Sequence, residues 1–140
     1  MKDPPPLEGD HLNFVDVSKV EAAIRQHGGH VTMGSHGNSK GIGAHWVTWA
    51  LQMGGLSNME ALQAATIMGA EGLGMQQDLG SIEPRKVADL LILDKNPLHD
   101  LNNTLSIQFV IKDGELFDGN TLTAIWPVKK KLPEWRLKII

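Results

Sequence analysis

Apolar positions recur at helical spacing through the first half of the chain and switch to a strand-like pattern after Leu79. Asp16–His27 predicts a helix, with Val20, Ala23, Ile24 and His27 on one stripe, Ser18-x-x-Glu21 as a capping box and Gly28-Gly29 as the stop. His30–Ser35 predicts a short strand that runs into the glycine-rich stretch HGNSKGIG. In the next helix Ile42, Trp46, Trp49, Ala50 and Met53 follow one another at spacings of four, three, one and three. That continuous apolar face predicts that Trp46 and Trp49 sit in the core. Gly54-Gly55 end this helix, and Ser57-x-x-Glu60 caps another over Asn58–Gly72, where Ala61, Ala64, Ala65, Gly69 and Ala70 suit close packing.

Beyond Leu79, Glu83-Pro84 opens a turn, Val87–Leu93 reads as a buried strand, and Asp94, Asn96 and Pro97 close it. Ile107–Lys112 and Glu115–Asp118 form a hairpin about Asp113-Gly114, a pair that tolerates the positive φ of a type I′ turn. Three parts follow: an extended, proline-rich lead-in over residues 1–13, a helical part over 14–78 and a strand-rich part over 79–140, whose tail from Trp126 is basic and carries Pro127 and Pro133. The junction falls near Gly74–Gly80.

Composition narrows this picture without redirecting it. A chain of 140 residues, 41% hydrophobic and 21% charged, is of single-domain size and reads as globular. A net charge of −3 gives no reason to expect nucleic acid, and the lack of cysteine excludes disulfides and thiolate metal sites. No apolar run reaches the roughly 18 residues of a membrane span, and MKDPPPLEGD has no signal-peptide core. The expectation is a soluble chain of unassigned compartment.

Chemistry concentrates around His36. A polar residue at the carboxyl end of a strand, followed by a glycine loop and a helix, occupies the position where α/β barrels place catalytic groups. The loop fits neither phosphate-binding pattern: Ser39 stands where G-x-x-x-x-G-K-[ST] needs its second glycine, and Trp46 stands where G-x-G-x-x-G needs its last. His45 opens the following helix, either lining a pocket or covering the first turn. His27 and His30 are separated by Gly28-Gly29, which breaks any helical metal spacing and leaves them surface or hinge residues. H-x-H, H-E-x-x-H and C-x-x-C do not occur. Lys129-Lys130-Lys131 reads as a solvated stretch.

The segment Leu79–Leu98, LGSIEPRKVADLLILDKNPL, resembles the stretch that follows the catalytic barrel in the amidohydrolase superfamily, in its imidazolonepropionase- and dipeptidase-like branch. The resemblance runs from about Phe14 onward, with Met59-Glu60-Ala61-Leu62 and Ala65-Thr66 adding to it. It implies an α/β architecture: the last βα units of a TIM-type barrel plus part of a flanking β-sandwich domain, which in this chain by itself amounts to a partial α+β fold. It also implies hydrolysis of amide or cyclic amide carbon–nitrogen bonds by water activated on a divalent metal, zinc first among the candidates. His36 then stands where the superfamily usually carries a metal-binding aspartate, making it the implied catalytic and metal residue, while Ser35, Gly37 and His45 become the implied substrate contacts. A metal-bound imidazole cannot act as the carboxylate base, so the usual proton chemistry does not transfer directly. The H-x-H pair of the first barrel strand has no counterpart here. Pro84-Arg85 also replaces the usual Pro-Gly, so Arg85 must adopt a type I turn or bear the cost of a type II.

A complete barrel takes about 250 residues, so the chain has room for about the last two units. Two expectations follow. The chain associates with itself or with a missing barrel portion to cover its open edges, unless it closes into a compact α+β unit. A catalytically silent or interaction-only role is the alternative to hydrolysis.

Overall fold

The computed structural model describes residues 10–35 and 41–130. Helix α1 spans Asp10–Gln26. Residues 10–13, expected to be extended, are therefore helical, and the rest of the lead-in lies outside the described residues. Ser18 does not cap the helix; it lies in mid-helix and is buried with Ala22, four residues on. The reason is a close crossing with α2 (Ile42–Met53): a Cβ on Gly54 would lie 2.3 Å from the Ser18 carbonyl carbon and oxygen. Only small side chains fit there. The expected stripe of Val20, Ala23, Ile24 and His27 accordingly faces outward.

The apolar face predicted for α2 is also rotated. Gly43, Thr48, Ala50 and Leu51 are buried, Trp49 is half-buried against the core, and Trp46 is 50% exposed. The third predicted helix divides into α3 (Asn58–Ala64) and α4 (Ile67–Gly72), because Thr66 takes a non-helical φ of −133° and ψ of −97°. Its hydroxyl donates to the Leu62 carbonyl at 2.7 Å. The capping box is present: Ser57 Oγ accepts from the Glu60 amide and the Glu60 carboxylate accepts from the Ser57 amide. Residues 30–35 form no strand; Met33 donates its amide to the Ala64 carbonyl at 3.0 Å, and Val31 enters the core. Among the described residues no second strand lies beside this stretch, so no ladder forms. The core gathers Ala22, Val31, Leu51, Leu56, Ala61, Ala64, Met68 and Leu101.

The second half is an antiparallel sheet in the order β1 (Leu90–Leu93), β2 (Ile107–Lys112), β3 (Glu115–Asp118), β4 (Ala124–Trp126). The strand expected from Val87 starts only at Leu90, since the Val87 amide is drawn to the Asp78 carbonyl at 2.7 Å. The hairpin has the predicted bounds, and its turn residues Asp113 and Gly114 take φ of 51° and 80°. Alternation and register place Leu90, Ile92, Phe109, Ile111, Leu116 and Trp126 on one face, and Leu91, Val110, Phe117 and Ala124 on the other. Of the sheet residues only Ala124 is buried. A short 3-10 helix at Leu101–Leu105, capped by Asp100, packs against both α2 and β1 and joins the two halves. The described residues thus form the partial α+β fold expected of this chain by itself.

Candidate functional site

Of the four expected site residues, His36 and Gly37 lie outside the described residues. Ser35 is exposed. His45, in the first turn of α2, is half-buried, and its surroundings are well defined. Its Nδ1 lies 2.9 Å from Thr104 Oγ1 of the 3-10 helix. Trp49, one turn along α2, donates its indole N–H to the Leu101 carbonyl at 3.0 Å and to the same Thr104 oxygen at 3.2 Å. The two rings stand tilted with centroids 6.1 Å apart. Burial lowers the His45 pKa below its ordinary value, because the charged imidazolium loses more hydration than the neutral ring. His45 is thus fastened to the element that joins helices and sheet.

His27 and His30 take separate partners, as their spacing predicts. His27 Nδ1 meets the Ala23 carbonyl at 2.8 Å, and His30 Nδ1 meets Glu71 Oε2 at 2.9 Å. Among the described residues no group of three or more His, Cys, Asp or Glu side chains could hold a metal ion. The described residues therefore do not fit a metal centre by themselves.

The sequence reading did not single out Thr104. A signal was available: Asp100 followed by Leu-Asn-Asn-Thr has the form of a capped turn, and its carboxylate accepts from the Asn102 amide at 2.9 Å. That bond, with the Asn102 side-chain amide, holds the Asp100 carboxyl below the usual range. Beside it lies an open groove of about 310 Å³, walled by Trp49, Gln52, Met53, Asn58, His99 and Asp100. With Leu101 and Asn102 included, its lining mixes an indole, an imidazole, a thioether, three carboxamides and a carboxylate.

The sequence profile of the Amidohydrolase family matches residues 12–117, a stretch that takes in α2 through β3 and most of α1. Adenine deaminase 4 of Rhizobium meliloti is 36% identical over 94 residues, which is 66% of this chain and 14% of that protein. Imidazolonepropionase of Symbiobacterium thermophilum is 45% identical over 53 residues, or 38% of this chain and 12% of that protein. The crystal structure of a Xaa-Pro dipeptidase with methionine bound in its active site superposes with a TM-score of 0.65 at 29% identity, covering 75% of this chain and 25% of that one. The chain spans a quarter or less of the length of each of these proteins.

Proposed function

The chain belongs to the amidohydrolase family, and from that premise we propose that it supplies the C-terminal part of a hydrolase acting on carbon–nitrogen bonds of small amide or cyclic amide molecules. One observation carries the reading: the family match extends over residues 12–117, from within α1 to within β3. The deaminase, imidazolonepropionase and dipeptidase relatives support the bond class. The reaction adds water to the carbon of the C–N bond and releases the nitrogen with a proton.

Within that reaction this chain contributes a metal-side residue and part of the pocket wall. His36 is the proposed metal-side group, with Ser35, Gly37 and His45 against the substrate. Residues from Leu79 onward form the flanking β-unit and serve a structural role. The family is generally metal-dependent; zinc is the proposed ion, and its remaining ligands are assigned to parts of the fold that the relatives carry outside the matched stretch. The described residues offer no donor set for it, which favours a second reading for the chain taken alone: no turnover without a partner that completes the site.

A chimera tests the leading reading. Residues 12–117 replace the matched stretch of the Rhizobium meliloti adenine deaminase, and the product is assayed with adenine, imidazolonepropionate and an Xaa-Pro dipeptide. Turnover of at least one, abolished by His36→Ala, is the expected result. A folded, metal-loaded chimera with no turnover contradicts it.

A further inference from the structure

Thr104 is only 8% exposed, and among the described residues its hydroxyl has two hydrogen-bonding neighbours, Trp49 Nε1 and His45 Nδ1. An indole N–H can only donate, so Thr104 Oγ1 accepts from Trp49. The hydroxyl proton then needs an acceptor, and among the described residues His45 Nδ1 is the one bonded to it. An imidazole nitrogen that accepts carries no proton, which places the ring proton of His45 on Nε2. We propose that Thr104 holds His45 as the neutral Nε2–H tautomer, and that protonating this histidine removes the acceptor of the Thr104 hydroxyl proton and so weakens the joint between α2 and the 3-10 helix, which the Trp49–Leu101 bond still ties.

Protonation changes two things together. Nδ1 becomes a donor, which the second lone pair of Thr104 Oγ1 can accept, and the Thr104 hydroxyl proton loses its acceptor. A positive charge also appears in a half-buried position. Among the described residues no charged side chain bonds His45. On α1 and α3, Arg25 and Glu60 face each other at 3.8 Å. On the 3-10 side, His99 and Asp100 wall the groove with Trp49, and the Asp100 carboxylate is engaged by Asn102 and influenced by Lys95. Burial is the sole cause of the downward shift at His45. The sign is that of a base whose folded pKa is depressed. The joint's contribution is full above the unfolded value of about 6.5 and falls away as the pH drops from there toward the folded value.

The joint also deepens the placement of His45 without depending on it: the hydrogen-bond logic holds whether or not His45 meets a substrate. Long-range 1H–15N NMR on the full chain reads the tautomer directly, and the Trp49 indole N–H signal reports the joint. At pH 7.5, Nδ1 is expected in the unprotonated state and Nε2 in the protonated state. On acidification the Trp49 indole signal should shift with the same midpoint as His45, below about 6.5. Thr104→Ser, which keeps the hydroxyl, should preserve the tautomer and the shared midpoint, and Thr104→Val should uncouple the two signals. A protonated Nδ1 at pH 7.5 in the unmodified chain, or a Trp49 signal that stays fixed while His45 titrates, overturns the proposal even if the valine variant fails to fold.

Discussion

Arg85 sits at the third position of the turn Glu83–Lys86 with φ of 80°, and the Lys86 amide donates to the Glu83 carbonyl at 3.2 Å. This is the type II geometry, the costlier of the two options open to a Pro-Arg pair. Arg85→Gly removes the Cβ strain and should stabilise the chain by about 1 kcal/mol, raising the calorimetric midpoint by a few degrees. An unchanged or lowered midpoint contradicts the assignment. At the tip of the sheet, Lys112 bridges Asp89 and Asp113, and the Asp113 amide donates to Asp89. The lysine bond first, then the amide, holds Asp89 below its usual pKa. A depressed carboxylate contributes stability above its unfolded value and loses it as pH falls through the folded value. Asp89→Asn should therefore lower the thermal midpoint at pH 7, and by progressively less as the pH falls below the unfolded value of about 3.9; a loss that does not shrink on acidification points the other way. The Pro84-Arg85 turn is legible in sequence because proline acts on its immediate neighbours, whereas the partners of Asp89 lie 23 and 24 residues away. The role of Thr104 is not legible, since its partners lie 59 and 55 residues away.

At the scale of elements, the helical stretches were legible in approximate position; the division of the third and the buried faces were not. Hydrophobic periodicity assumes that the most apolar stripe faces inward. In α1 the inward residues are Ser18 and Ala22, chosen for size by the crossing with Gly54, while Val17, Val20 and Ile24 remain exposed. Gly54→Ala puts a methyl group against the Ser18 backbone and should cost about 1–3 kcal/mol by forcing the helices apart. Urea unfolding checks this, and a loss below 0.5 kcal/mol (about the scale of a neutral surface change) contradicts the close crossing. The capping box was readable because it is wholly local; Ser57→Ala should cost about 1 kcal/mol in the same assay. The break at Thr66 and the missing strand at residues 30–35 were not readable. A strand exists only with a neighbour, and periodicity carries no information about the neighbour.

For the whole molecule, the sheet exposes Leu91, Ile92 and Trp126, and α1 exposes Val17, Val20 and Ile24. Scattered exposed apolar residues are ordinary, but here one sheet face is apolar at six registered positions with none buried. Sedimentation velocity at micromolar concentrations should show concentration-dependent association; a clean monomer contradicts it. The family was legible at this scale because Leu79–Leu98 keeps the turn and strand chemistry of the β-unit. The candidate site was less so: His36 and Gly37 lie outside the described residues, and His45 is bonded to a residue 59 positions away. The central claim is that this chain carries one end of an amidohydrolase fold and completes no metal site alone. Zinc per chain, measured after saturation with zinc and removal of free ion by gel filtration, tests it most directly. The expected result is well below one equivalent; one tightly held equivalent per chain contradicts the claim.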